Sequence, residues 1–319
     1  MSVPDAVEVL RRGGLVAFPT ETVYGLGCDA ESAEALARLY AVKGRPLDHP
    51  VIVHVGAAVG ADLGSAGWAE GLTPAAATLA EACWPGPLTL VVGRGPRVHD
   101  AVTGGRATVG LRVPAHPVAR ALLDAFGGGV AAPSANRFGR VSPTSAADVR
   151  ADLGDDVDVV LDGGASDVGV ESTIVDCTGA VPAVLRLGGI PREHIEGIVG
   201  ATTLATDGTV AAPGTLPAHY APRARVVLAD PAGLRARAAA FLEAGTSVGV
   251  LALRTVSDGL PDDVVVLASP ADDVEYARVL YPSLRAADRA SLDVVLAVAP
   301  DPVGIGAAVA DRLTRAAAS

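Results

Sequence analysis

Short apolar runs alternating with amphipathic segments, interrupted once after residue 200, constrain the fold of this chain more than any other feature of it. Residues 5–12 read as a short helix and 15–18 as a buried strand stopped by Pro19. Over 32–42, Ala35, Leu36, Leu39 and Tyr40 share one side and Glu34 and Arg38 the other, with Glu31 just ahead of them, the spacing of an amphipathic helix. Strands are expected over 51–55, 88–92, 108–113 and 130–132, and near 157–161, 173–176 and 184–187. Helices are expected over 74–82, 116–126 and 145–153. Strands that are sometimes neighbours and sometimes separated by helices predict an α/β fold with a partly antiparallel sheet.

The interruption covers 201–224, a run of Thr, Ala, Gly and Pro with neither period, ending in His219-Tyr220-Ala221-Pro222. An irregular stretch of that length is either a linker or a functional segment. Beyond it the pattern restarts as β-α-β, with strands at 226–228, 248–251, 264–267 and 294–298, helices at 232–243 and 276–284, and a last helix. A first domain over 1–200, a linker over 201–224 and a smaller Rossmann-like domain over 225–319 are therefore expected. A chain of 319 residues is long enough for two cores.

Charge and composition narrow the function. The formal net charge is −11, without a long basic run, and only 3% of residues are aromatic. Stable nucleic-acid binding needs a basic face or a stacking platform, and neither is expected. No segment is both long and charge-free enough to cross a bilayer, and residues 1–10 carry Asp5 and Glu8 without the basic and apolar regions of a secretory leader. Cys28, Cys83 and Cys177 are odd in number and form no Cys-x-x-Cys pair. These traits predict a cytoplasmic protein with buried thiols and no membrane association.

Lys43 is the single lysine; every other one of the 25 basic residues is arginine. An ammonium is a compact charge on a flexible stem, not a planar fork, so its survival in Lys43-Gly44-Arg45-Pro46 points to chemistry. Gly44 follows it, where a P-loop would need Ser or Thr, and no cofactor motif surrounds it for Schiff-base chemistry.

Polar groups otherwise gather at strand ends. Pro19-Thr20-Glu21-Thr22-Val23-Tyr24-Gly25-Leu26-Gly27 opens from a strand into hydroxyls and glycines. Gly25-Leu26-Gly27-Cys28-Asp29-Ala30 matches a dinucleotide fingerprint in letters, but the acidic residue that should end the next strand is missing. His54 lies within the apolar strand expected over 51–55, where a satisfied core histidine is the common case. His49, His54 and Cys28 lack metal-ligand spacing, so no structural metal is assigned. Ala131-Ala132-Pro133-Ser134-Ala135-Asn136 runs from a strand into Ser-x-Asn, where open α/β sheets bind ligands. Arg112, closing its strand, is suited to a bidentate carboxylate, and Arg186 needs an anionic partner if buried. Glu171-Ser172-Thr173 adds hydroxyls, and Ser142-Pro143-Thr144 more.

Taken in order, the Pro-Thr-Glu-Thr run, Lys43-x-Arg45, Trp84-Pro85-Gly86-Pro87-Leu88-Thr89, Ser134-x-Asn136 and Glu171-Ser172-Thr173-Ile174-Val175-Asp176 resemble the Sua5/YrdC/YciO family over residues 5–200. Ala212-Pro213-Gly214-Thr215, His219-Tyr220-Ala221-Pro222 and the trailing segment resemble its two-domain Sua5 form. The resemblance implies a twisted mixed sheet with a concave active-site face, and a threonylcarbamoyl-AMP synthase. Such an enzyme makes threonylcarbamoyl-AMP and pyrophosphate from L-threonine, bicarbonate or carbon dioxide, and ATP with Mg²⁺, for partner proteins that modify tRNA beside the anticodon.

By position, the resemblance assigns Thr22, His54, Arg112, the Ala132 backbone and Ser172 to L-threonine. To ATP it assigns Lys43, Arg45, His49, Thr108, Ser134, Asn136, Ser142, Arg186 and Tyr220, with Lys43 and Arg45 catalytic and Tyr220 on a lid. His49 stands where the family's Lys-x-Arg-Pro-Leu-x-Asn-Pro run has asparagine. Two competing readings are a carbamoyl-adenylate enzyme of the hydrogenase-maturation type, which carries zinc-finger segments, and an RNA-binding module, which needs a basic face.

Overall fold

The computed structural model of the chain describes residues 2–204, 219–257 and 259–318. The described residues divide into two compact units. One holds residues 2–138, 143–167 and 171–204, and the other holds 139–142, 168–170 and 219 onward. Most of the irregular 201–224 stretch expected as a linker lies outside the described residues.

The first unit begins α1 (Val3–Arg11), β1 (Val16–Phe18), β2 (Gly25–Asp29), α2 (Ala33–Lys43), β3 (Val53–His54) and α3 (Ala57–Ala61). It continues β4 (Ala69–Glu70), α4 (Pro74–Cys83), β5 (Leu88–Arg94), α5 (Asp100–Thr103), β6 (Thr108–Arg112), α6 (Pro117–Phe126) and β7 (Val130–Ala131). It ends with α7 (Ala146–Leu153), β8 (Val159–Val160), β9 (Thr173–Asp176), β10 (Ala183–Arg186), α8 (Arg192–Val199) and β11 (Thr203–Leu204). The strands form one mixed sheet in the order β11-β10-β9-β5-β6-β3-β7-β2-β1-β8, with β4 added on β5.

Period-two alternation places side chains on opposite faces of this sheet. Leu15 and Ala17 join a core with Leu36, Leu39, Leu79, Leu90 and Leu111, while Val16 and Phe18 join a second core with Val7, Leu10, Leu122 and Leu123. Helix starts follow their caps. Ser32 accepts from the Ala35 amide, Thr73 from Ala76 and Ser145 from Asp148, satisfying amides that the first turn leaves orphaned.

Several expectations are corrected. The glycines of 25–27 are strand, not loop, because the sheet is too crowded there for side chains. A Cβ on Gly27 would lie 2.6 Å from Val130 Cγ1 and 2.8 Å from Phe18 Cε1. The strand expected over 51–55 is regular only at Val53–His54; α3, α5, β4 and β11 carry too few residues to show a period, and α8 was not expected.

The second unit holds β12 (Arg225–Leu228), α9 (Leu234–Glu243), β13 (Val248–Leu251), β14 (Val265–Ala268), α10 (Asp273–Arg289), β15 (Val294–Ala297) and α11 (Gly306–Ala317). Its sheet is parallel throughout, in the order β12-β15-β13-β14. α10 outruns the 276–284 expected for it: Asp272 caps its start, and Pro282 lies inside it.

Candidate active site

β3 and β6 run parallel with His54 opposite Arg112, so one register brings two predicted residues together. Arg112 is buried, and its Nε donates to the Gly86 carbonyl (3.2 Å), its Nη1 to Thr22 Oγ1 (3.0 Å) and its Nη2 to Glu21 Oε1 (2.6 Å). The fork expected to await a ligand carboxylate is thus half filled by a carboxylate of the protein. Two of its five N–H groups are outside these bonds.

Glu21 was absent from the sequence-based assignments. Its signal was an acid between two hydroxyls, Thr20 and the assigned Thr22, in a run that leaves a buried strand. Its Oε2 accepts from the Ala115 amide at 3.0 Å. Burial pushes this carboxyl up, but the Arg112 charge and the hydrogen bonds outweigh burial and hold it below the usual carboxylate range.

His54 is buried with its ring edge-on to Phe18 at 6.0 Å. Burial, reinforced by the Arg112 charge, pushes its imidazole down to about 3. Its Nδ1 has no hydrogen-bond partner among the described residues. Hydrogen bonding to the Ile52 and Val130 backbone acts on the ring in the opposite direction, so it is one ring nitrogen, not the whole imidazole, that the fold leaves without a partner. A buried polar atom without a partner costs stability and marks a place where a ligand would supply one.

A second cluster forms where β5, β9 and β10 adjoin. Ser172 Oγ lies 2.8 Å from Thr89 Oγ1 and accepts from Arg186 Nη2 (3.1 Å), which also donates to the Ser172 carbonyl (2.9 Å). Arg186 is thus buried with a backbone carbonyl and a hydroxyl among its partners. Ala132 donates its amide to the Ile52 carbonyl at 2.9 Å, so its N–H is already committed.

Lys43 ends α2, and the left-handed Gly44 (φ 63°) turns the chain there without a Cβ clash. The ammonium is buried and donates to the carbonyls of Ser134 (2.5 Å) and Asn136 (2.6 Å). Burial, then the nearby Arg45 charge, pushes it well below the usual lysine range. The predicted phosphate ligand therefore joins Ser134 and Asn136, as one site requires, but through carbonyls that take two of its protons. Arg45 donates from Nε to the His49 carbonyl (3.3 Å) and from Nη2 to that of Pro50 (2.8 Å). The Arg45 guanidinium and the His49 ring each lie 5.7 Å from the Phe138 ring, an aromatic the sequence reasoning passed over. Burial, then Arg45, pushes the His49 imidazole down.

Thr108 joins neither cluster by a described side-chain contact. Thr108 opens β6 opposite Gly93, at the far end of the strand from Arg112. Ser142 and Tyr220 belong to the second unit. There Ser142 is buried and its carbonyl accepts from Arg285 Nε at 3.5 Å. Tyr220 is buried at φ 63°, stacked on Tyr281 at 5.7 Å and under the Arg312 guanidinium at 5.0 Å.

A cavity of about 510 Å³ in the first unit, lined by Leu63, Ala76, Trp84, Pro85, Leu90 and Val113 among others, contains none of the assigned residues. Among the described residues, no group of three or more His, Cys, Asp or Glu side chains is placed to hold a metal ion, and no helix is long and apolar enough to cross a membrane.

The Sua5/YciO/YrdC family model, described as "Telomere recombination", matches residues 8–188, and the model described as "Threonylcarbamoyl-AMP synthase, C-terminal domain" matches 190–318. A threonylcarbamoyl-AMP synthase of Pyrococcus abyssi is 39% identical over 98% of this chain and 92% of its own length. One of Bacillus subtilis is 36% identical over 99% and 92%. The crystal structure of P. abyssi Sua5 complexed with L-threonine superposes with a TM-score of 0.91 at 38% identity, covering 99% of this chain and 94% of that one. With both models matched in order and relatives aligned nearly end to end, the chain belongs to the Sua5/YciO/YrdC family, in the form that carries the Sua5 C-terminal domain.

Proposed function

We propose that this protein condenses L-threonine, bicarbonate and ATP into threonylcarbamoyl-AMP, releasing pyrophosphate. The observation that carries the reading is the buried, unpartnered His54 Nδ1 beside Arg112 and Thr22, in a chain whose relative of 0.91 TM-score was caught with L-threonine. Arg112 takes the amino acid's carboxylate on the N–H groups Glu21 leaves over. Thr22, His54, the Ala132 carbonyl and Ser172 surround the rest of it.

The amine of threonine is carboxylated, and the new carboxylate attacks the α-phosphorus while pyrophosphate departs. Such a step depends on alignment and on neutralising charge. Lys43, Arg45 and Arg186 supply the positive charge, with His49, Thr108, Ser134 and Asn136 around the nucleotide. Ser142 and Tyr220 are proposed for the nucleotide as well, with residues 201–224 proposed as a linker and lid between domains 1–200 and 225–319. With no protein cage of acidic and imidazole ligands described, Mg²⁺ would travel on the phosphates of ATP, where it lowers the charge opposing attack. The product passes in the cytoplasm to proteins that modify tRNA.

Pyrophosphate release measured with each substrate omitted in turn tests the reading. Release is expected only when L-threonine, bicarbonate and ATP are all present; release indifferent to threonine would sink it.

A further inference from the structure

The hydroxyl of Thr20 takes no part in the roles assigned above, yet it sets what its neighbour offers. Thr20 is buried, and its Oγ1 lies 2.6 Å from the Val23 carbonyl oxygen. A carbonyl has no proton to give, so the single Thr20 hydroxyl proton must lie in that bond. The same Oγ1 accepts from the amides of Thr22 (3.3 Å) and Val23 (3.2 Å). It also lies 2.8 Å from Thr22 Oγ1. With its own proton spent, and with the two long amide contacts from adjacent residues sharing one lone pair, Thr20 accepts on its other lone pair and Thr22 is the donor in that contact.

Thr22 Oγ1 meanwhile accepts from Arg112 Nη1 at 3.0 Å. Its one proton points at Thr20 and one lone pair at Arg112, which leaves a single lone pair. Ser172 differs. Its contact with Thr89 has no proton direction imposed by a carbonyl, so it keeps the choice to donate or accept.

We infer that Thr20 is a positioning residue that locks Thr22 as a hydrogen-bond acceptor toward the α-amino group of the amino-acid substrate. The inference rests on the proposed function for the identity of that substrate. The amino group lies one carbon from the carboxylate that Arg112 takes, and Thr22 is bonded directly to Arg112. An acceptor held there favours an N–H pointing at it and repels a second oxygen. Glu21 supports the arrangement by fixing the other arm of the Arg112 fork.

The test is calorimetric titration of L-threonine and of ATP into the full-length wild type, Thr20→Val and Thr20→Ser. Valine keeps the shape but removes the acceptor, so the Thr22 proton is released toward the substrate. Thr20→Val is expected to weaken L-threonine binding by about tenfold or more, the scale of a hydrogen bond to a charged group, and to leave ATP binding within about twofold. Thr20→Ser, which keeps the hydroxyl, is expected to restore threonine affinity. A merely structural role predicts equal losses for both ligands, and that result overturns the inference. Undiminished threonine binding in Thr20→Val with a wild-type melting temperature overturns it too. A wild type that binds no L-threonine overturns the substrate assignment, and the inference falls with it.

Discussion

The two units end their interior strands in opposite ways. In the second unit, Val248–Leu251 and Val294–Ala297 are buried along their whole length and carry no ionisable side chain. Their core partners are Leu234, Ala238, Val264 and Val298. Its buried arginines, Arg285 and Arg312, belong to helices. In the first unit, β3 ends in His54, β6 in Arg112 and β10 in Arg186, and α2 ends in Lys43, all of them buried. Apolar strand ends add stability through burial alone. Ionisable ones cost desolvation that hydrogen bonds only partly return, and such groups concentrate where a protein does chemistry. A strand that ends in a buried charge is thus shaped by its ligand, and one that ends in valine by its core.

The sharpest way to break this contrast pairs one truncation from each unit. Arg112→Ala strands the Glu21 carboxylate and is expected to cost about 4 kcal/mol, whereas Leu296→Ala leaves a cavity and costs about 3 kcal/mol. The pH dependence should separate them. Arg112 holds the folded-state pKa of Glu21 down, so the stability it confers is present above the unfolded value and lost as pH falls through the folded one. Urea midpoints at pH 7 and pH 4 should show the Arg112→Ala penalty shrinking in acid and the Leu296→Ala penalty unchanged. Parallel behaviour would erase the contrast.

Next in size is Lys43→Arg. The substitution keeps the charge, but a guanidinium is too broad for a buried slot between two carbonyls. Turnover is expected to fall by roughly a hundredfold, the scale of losing one charge-stabilising donor, and steady-state pyrophosphate release reads it. Wild-type turnover would mean that the lone lysine is compositional drift.

The smallest effect concerns His54. Its folded-state pKa is held near 3 by burial and the Arg112 charge, so below its unfolded value the unfolded chain binds the proton and the folded chain does not. Stability therefore falls as pH drops, by about 2 kcal/mol between pH 7 and pH 5 for this one group. His54→Phe should remove that part of the slope in urea titrations at the two pH values. An unchanged slope would place the acid sensitivity elsewhere.

Long periodic elements were legible in the sequence. The amphipathic α2, the capped α4 and α7, and the apolar strands of the second unit lie within a few residues of their expected positions. β2 was not, because glycine is a poor strand former and nothing local reveals Phe18 and Val130 crowding in on Gly27. The candidate site was legible as residue types, not as contacts. Motif order picked out Thr22, His54, Arg112, Ser172 and Arg186, but not Glu21, whose role exists only through a bond to a residue 91 positions away.

By itself, the sequence determined the alternation of strands and helices and which residue types stand at strand ends, since these depend on local period and on chemistry carried residue by residue. Only the tertiary structure decided what those groups face. The sheet order β6-β3-β7-β2 brings Arg112 to Thr22 across 90 residues and to Glu21 beside it. The loop after β7 likewise carries the Ser134 and Asn136 carbonyls to Lys43. Hydrogen-bond partners over such separations are set by register and chain path, which no local pattern encodes.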